Sequence, residues 1–147
     1  MFKIIKYSQE YRDDMWFCFL YARDAAGMAV RLRDDLFDIQ SNYFDKGDMF
    51  WIAVDCNNRV VGMVGTNATS ETDMWLKRLF IKPEMKRKGI ATALLNTAVE
   101  YAKQKGIALI HTRFADIQAE AVYFYPAMGF VEDEPVDEHT KHFVKRI

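Results

Sequence analysis

The segment Lys82-Pro83-Glu84-Met85-Lys86-Arg87-Lys88-Gly89-Ile90-Ala91-Thr92 sets three consecutive cations and a glycine at the start of a helical stretch. Such a turn is suited to an anion. The first N–H groups of a helix have no acceptor within it, and the helix dipole leaves partial positive charge at that end. Gly89 lets the main chain approach a ligand without an intervening Cβ, and Ala91 is nearly as small. Lys86, Arg87 and Lys88 surround the position with positive charge. The spacing is not that of a P-loop, which needs Gly-Lys-Ser/Thr, nor of the three-glycine dinucleotide loop. A plain phosphate or nucleotide binder is one reading of this turn. A nucleic-acid patch is disfavoured, because the basic run is short and carries no interleaved aromatics.

The elements around the turn follow from periodicity. Phe2–Tyr7 alternates as a strand. Ser8 reads as an N-cap for a helix from about Tyr11 to Ala25 or Ala26, stopped by Gly27. A second helix is expected from Met28 or Ala29 to about Ile39, then a loop over 41–48. The β-rich runs 49–55 and 60–67 flank the turn Cys56-Asn57-Asn58-Arg59 and make a hairpin, which 74–81 continues. Pro83 cannot extend that strand. After the basic turn, Ile90, Leu94, Leu95, Ala98, Tyr101 and Ala102 mark one face of a helix ended by Gly106. Ile107–Thr112 reads as a buried strand parallel to 74–81 across the helical crossover. A short helix at 118–128 and strands from Phe130 and over 141–145 complete the chain.

The fold class is therefore mixed α/β: a central, mostly antiparallel twisted sheet flanked by helices, in the order β-α-α-β-β-β-α-β-α-β-β. The 147 residues, half of them hydrophobic, suit a single domain spanning 1–147. The formal net charge of −1 gives no overall pull toward nucleic acid or an anionic membrane. Charge is nonetheless uneven, since residues 74–105 carry eight Lys or Arg against two Glu. No secretory signal is evident, and the longest apolar run falls far short of the roughly 20 residues of a membrane span, so the expectation is a soluble cytoplasmic protein with no membrane partner. Cys18 and Cys56 have neither ligand-like spacing nor a disulfide framework, and the three histidines lack partners at metal spacing. No metal site is assigned.

Two segments carry a family resemblance. Leu79 to Leu95, with Lys86-x-x-Gly89-x-Ala91, resembles the cofactor signature of the GNAT superfamily of acyl-CoA-dependent N-acetyltransferases. In that family an Arg/Gln-x-x-Gly-x-Gly/Ala loop holds the pyrophosphate of coenzyme A. Lys86 departs from the family's Arg or Gln, replacing a planar group by a point charge. Asp116 to Phe130 resembles the family's Asn-x-x-Ala-x-x-x-Tyr-x-x-x-Gly-Phe element, with Gln118, Ala121 and Tyr125 at its Asn, Ala and Tyr. The element order matches the same fold across nearly the whole chain.

The resemblance implies an N-acetyltransferase that moves an acetyl group from acetyl-CoA to a primary amine of a small molecule or peptide, by direct attack in a ternary complex. It implies cofactor contacts from Leu79, Phe80, Ile81, Lys86, Arg87, Lys88, Gly89, Ile90, Ala91, Thr92 and Gln118, those of the strand being made by main chain. A main-chain N–H of that strand would polarise the thioester carbonyl. Tyr125 is the implied general acid for the departing thiolate, against the plainer reading of a core aromatic. Relatives often carry a glutamate base where Trp75 stands here, which leaves Glu71 or Asp73 just upstream as candidate bases. That departure also keeps open a non-catalytic acyl-CoA-binding sensor or interaction module. The acceptor is expected against the first two helices and the loop after them, where Tyr11, Met15, Trp16, Phe19 and Tyr21 with Asp13, Asp14, Asp24, Asp34, Asp35 and Asp38 would suit a cationic amine. The same pattern also describes helices that bury aromatics and solvate acids. A homodimer is compatible with the resemblance.

Overall fold

The structure, a computed structural model, describes residues 1–147. Seven strands form one sheet: β1 (Phe2–Lys6), β2 (Phe50–Asp55), β3 (Val60–Ala68), β4 (Asp73–Ile81), β5 (Leu109–Ala115), β6 (Val131–Asp137) and β7 (Thr140–Arg146). Their spatial order is β1-β2-β3-β4-β5-β7-β6. Only β4 and β5 are parallel. Helix α1 (Arg12–Ala25) packs on one face of β3 and β4, and α3 (Ile90–Gln104) on the other, while α4 (Ala119–Ala127) joins β5 to β6.

The two faces give two cores. On the α3 side Ile90, Leu94, Leu95, Ala98 and Ala102 bury against Val61, Val64, Met74, Leu76 and Ile110, the face expected from the 3.6-residue period. On the α1 side Met15, Cys18 and Phe19 meet Phe50, Ile52, Val54, Val60 and Met63. Strands β2 and β3 are buried on both sides, so their sequences read as continuous apolar runs rather than alternating ones. Cys18 is fully buried, and burial pushes its thiol up to about 12, so it packs as an inert apolar residue.

The expected second helix is not formed. Residues 28–33 are irregular, 34–37 make a 3-10 turn, and α2 is the single turn Ile39–Asn42. Gly27, at φ 76°, ends α1. The carbonyl of Ala29 accepts from Arg23 Nε at 2.9 Å instead of serving a helix ladder. Leu36, Ile39 and Tyr43 then each drop into the α1-side core, which a straight helix from residue 28 would not allow. The 41–48 stretch accordingly holds the end of α2 and a 3-10 turn at 44–46. Ser8 caps no helix. Its hydroxyl donates to Glu10, and a 3-10 turn at Gln9–Tyr11 precedes α1. Strand β5 starts two residues later than expected and runs three further, to Ala115.

Strand β6 is an edge, exposed along its whole length, and carries Glu132, Asp133, Glu134, Pro135 and Asp137. Acids, a proline and a register shift between Asp133 and Asp137 keep that edge from recruiting another strand.

Helix α3 sits close on the sheet because Gly62 has no side chain. A Cβ there would lie 2.8 Å from Ile81 Cδ1, 2.9 Å from Ile90 Cγ2 and 3.1 Å from Leu94 Cδ1. Gly62→Ala is expected to cost about 1–3 kcal/mol by overpacking, which at roughly 2–4 °C per kcal/mol for a domain of this size lowers Tm by several degrees. Differential scanning calorimetry measures it.

Candidate functional site

The sheet opens between β4 and β5. These strands pair only over Asp73–Trp75 with Leu109–His111. Beyond that point β4 keeps β3 and β5 keeps β7, but each loses its inner neighbour. At the parting, Arg78 takes φ 60°, and the β3–β4 register shifts between Met63 and Gly65, which places an extra residue on β4. This is a β-bulge, and it turns the strand away from its neighbour. A left-handed backbone is costly for a residue with a Cβ. Arg78 is held there by Asp35, to which its Nε and Nη2 donate at 3.1 and 2.6 Å, while the Tyr43 hydroxyl donates to Asp35 at 2.5 Å.

The resulting cleft has a volume of about 840 Å³ and is walled by the end of α1, strand β4, the β4–α3 turn, strand β5 and α4. Among the expected cofactor residues, Leu79, Phe80, Ile81, Lys86, Arg87, Gly89, Ile90, Ala91, Thr92 and Gln118 line it. Lys88 does not. The turn places Arg87 and Gly89 in the left-handed region, at φ 64° and 83°, just before α3 begins. A Cβ on Gly89 would meet nothing within 4 Å, so the backbone there faces open space. Lys86 Nζ lies 3.1 Å from Glu120 Oε2, joining the turn to the first turn of α4. Gln118 also has a local duty, since its Oε1 accepts from the Ala115 N–H at 3.1 Å and closes the β5–α4 turn.

Tyr125 lines the same cleft and is 6% exposed. Its ring stacks on Phe114 at 5.4 Å and meets Phe130 edge-on at 5.2 Å, which fixes the phenol's direction. Burial pushes its pKa up and the Thr112 hydroxyl pulls it partly back. The phenol therefore keeps its proton at neutral pH.

Neither candidate base lines the cleft. Glu71 is exposed in the β3–β4 turn. Asp73 Oδ2 is 2.7 Å from His111 Nε2, and His111 Nδ1 is 2.9 Å from His142 Nε2. Trp75 stacks on both imidazoles, at 4.8 and 5.0 Å. Hydrogen bonds from His111, Thr72 and Ser70 hold the Asp73 carboxyl below its usual range. This Asp73–His111–His142 chain was invisible in the sequence, because it draws on three strands and depends on β7, rather than the earlier β6, lying beside β5 in the sheet.

The side chains expected to form the acceptor surface do not line the cleft, although the end of α1 and the segment after it do. None of Tyr11, Met15, Trp16, Phe19 and Tyr21 lines it, nor do the six aspartates. Met15 and Phe19 are core residues. Asp14 is bound to Arg59 and to the Val60 N–H, Asp38 caps Ser41, and Asp35 is committed to Arg78 and Tyr43. The cleft wall near the parting instead carries Arg23, Arg33 and Arg78.

The opened sheet thus carries a basic helix-initiating turn at one end of its cleft and a buried tyrosine beside it. Residues 8–130 match the acetyltransferase (GNAT) family. The chain belongs to that family. It is 33% identical over 130 residues to human N-acetyltransferase 8 and 32% over 101 residues to the probable N-acetyltransferase camello of Xenopus laevis, covering 78% and 67% of this chain. Those matches take in 57% and 46% of the relatives, so the chain spans about half the length of the curated relatives it matches. Its GNAT fold superposes on a GNAT-family acetyltransferase from Staphylococcus aureus Mu50 with a TM-score of 0.91, 23% identity and 99% of both chains covered. The PaiA N-acetyltransferase of Thermoplasma acidophilum, solved with coenzyme A, gives a TM-score of 0.80 at 19% identity, over 100% of this chain and 99% of that one. No helix is long and apolar enough to cross a membrane.

The Arg78–Asp35 pair makes a testable contribution to stability. Burial raises the Asp35 carboxyl, but hydrogen bonds from Arg78 and Tyr43 and the charge of Arg78 outweigh it and hold it below the usual range. A depressed carboxyl stabilises the fold above its unfolded value of about 3.9 and loses that contribution as pH falls through the folded value. Asp35→Asn is expected to cost about 1.5–3 kcal/mol at pH 7. The Tm gap between the two proteins should begin to narrow below about pH 4 and close as pH falls through the folded value, as followed by circular dichroism melts across pH.

Proposed function

We propose that this chain is an N-acetyltransferase that takes the acetyl group of acetyl-CoA and passes it to a primary amine of a small molecule or peptide in a ternary complex. The observation that carries this reading is the parted β4–β5 edge with the Gly89 turn at one end and Tyr125 beside it. The alternative surface readings of the basic turn account for neither the parted strands nor the tyrosine.

In this reading the pyrophosphate lies on the first N–H groups of α3, flanked by Arg87 and Lys86. The pantetheine arm runs along Leu79–Ile81 as an added strand, using main-chain groups that have no β5 partner. A β4 main-chain N–H past the bulge stabilises the oxyanion as the amine attacks the thioester carbon. The C–S bond then breaks, and the electron pair leaves on sulfur. Tyr125 supplies a hydrogen bond and a proton to that thiolate, whose conjugate acid has a pKa near 8.5. The amine proton must also leave, and with Trp75 at the relatives' glutamate position no carboxylate meets the amine directly. Neither Asp73 nor Glu71 lines the cleft, so either would act through water.

Tyr125→Phe is expected to bind coenzyme A with an unchanged dissociation constant and to lose about 10²–10⁴-fold in kcat. Thiol release with a panel of amines measures it, and unchanged turnover removes Tyr125 from the mechanism. The same assay separates the second reading, a non-catalytic acyl-CoA-binding module, which the absence of both candidate bases, Glu71 and Asp73, from the cleft lining favours. A coenzyme A-stabilised protein that releases no thiol with any amine is that module.

The Lys86–Glu120 pair gives a further check on the cofactor end. Both side chains are largely exposed, 39% and 70%, so their attraction is weak, but it competes with the cofactor for the same ammonium. Glu120→Gln is expected to tighten coenzyme A binding about two- to five-fold at low salt, with the gain fading in high salt. Isothermal titration calorimetry measures it.

A further inference from the structure

At the parting of β4 and β5 the cleft is lined by Arg23, Arg33 and Arg78, and no aspartate or glutamate lines it there. Along the whole wall the cations are these three with Arg113, Lys86 and Arg87, against the one acid Glu120, which faces Lys86. The three arginines are neighbours in space. The guanidinium carbons of Arg23 and Arg78 both lie over the Phe19 ring, at 5.6 and 5.9 Å from its centre. Arg78 is neutralised by Asp35, with which it makes two hydrogen bonds. Arg23, only 4% exposed, spends its Nε on the Ala29 carbonyl. Arg33 has a buried Nε with no hydrogen-bond partner.

Arg33 is itself only half-buried, so its guanidinium is open to the cleft while its inner Nε–H lacks a protein acceptor, which is costly for a buried donor. Two arginines beside an already satisfied third repel one another, and their pKa values are lowered by burial and by the surrounding arginine charges. The arrangement suits an anion. Its position says whose anion: Arg78 sits immediately before Leu79–Ile81, the stretch assigned to the pantetheine arm, whereas the cofactor's phosphates belong to the Gly89 turn at the other end of that stretch.

We infer that Arg33 and Arg23, backed by Arg78, receive a carboxylate of the acceptor, so the acceptor is a small amine with a carboxylate close to its amino group, such as an amino acid. This deepens the acetyl-transfer reading and rests on it for the word acceptor. A planar guanidinium pairs with a carboxylate through two parallel hydrogen bonds, which orients the acceptor as well as holding it. Polyamines are the wrong charge for this wall.

The experiment compares alanine, leucine and phenylalanine with their carboxamides, and with spermidine, by thiol release. The carboxamides have less basic amines, so intrinsic reactivity at neutral pH favours them. The expected result is a kcat/KM at least ten-fold higher for one or more amino acids than for the matching amide, carried mainly by KM, with spermidine poorest. In Arg33→Gln that ratio should collapse to within about three-fold of unity, while the calorimetric affinity for coenzyme A stays unchanged. Equal rates for acids and amides, preference for spermidine, or an Arg33→Gln loss of coenzyme A affinity would overturn the inference, the last by giving the arginines to the cofactor. A binding arm stands apart from turnover: N-acetylleucine should raise the Tm of the coenzyme A-loaded protein more than N-acetylleucinamide does, and Arg33→Gln should abolish the difference. If no amine releases thiol, the transferase reading fails and this arm still decides the carboxylate site, equal shifts for acid and amide rejecting it.

Discussion

The bulge at Arg78 governs this molecule. An arginine in a left-handed backbone would relax if left alone, at a gain of order 1–2 kcal/mol, and β4 could then stay paired with β5 to its end. The bidentate bond to Asp35 prevents that, and Asp35 is itself fixed by the Tyr43 hydroxyl. One ion pair therefore connects three things: the irregular segment after α1, the core around Tyr43, and the point at which the sheet divides. The cleft exists because two strands that share a register for three residues are made to part. At the closed end, Trp75 stacked on His111 and His142 ties β4, β5 and β7 together and keeps the division from travelling further.

The opposite end of the cleft is set by packing rather than by charge. Gly62 allows Ile90 and Leu94 to sit on β3, which fixes where α3 begins. Its start fixes the direction of the N–H groups beyond Gly89. Arg87 and Gly89, both left-handed, bring the chain round from the 3-10 turn at Pro83–Met85 into that helix within a few residues. Close helix–sheet contact on one face and a bulge on the same strand pair thus determine the length of β4 edge that a cofactor can follow.

Much of this was legible in the sequence, for physical reasons that differ by region. The α3 face and the buried β2 and β3 strands were readable because apolar periodicity reports burial directly. The Gly89 turn was readable because few residue types tolerate that backbone next to a helix start. Residues 28–39 misled, since charges and apolars at plausible helical spacing gave no sign that Arg23 would take the Ala29 carbonyl or that Leu36, Ile39 and Tyr43 would each be pulled into a core. The chemistry between elements was least legible. Asp73, His111 and His142 meet only because β7 lies between β5 and β6, and Arg23, Arg33 and Arg78 meet only because residues 28–33 fold back over α1's end. In the sequence the aspartates of this region outnumber its arginines, and only their committed hydrogen bonds reveal that the arginines are the ones left facing the cleft.

That inversion bears on the proton of the attacking amine. A wall of guanidiniums disfavours an ammonium and favours the neutral amine that attacks. With Asp35 cancelling one arginine and an acceptor carboxylate cancelling another, about one positive charge would remain, which at about 6 Å and an effective dielectric of about 20 amounts to roughly 2–3 kcal/mol. That corresponds to about two pKa units, enough to bring an ordinary amine from mostly protonated toward half neutral at physiological pH. The electrostatics that select an anionic acceptor would then also prepare its nucleophile. A cleft with Trp75 in place of a glutamate base needs such a field more than one that has the base, because water can carry off the proton from an amine that already arrives neutral and becomes strongly acidic once the tetrahedral adduct forms.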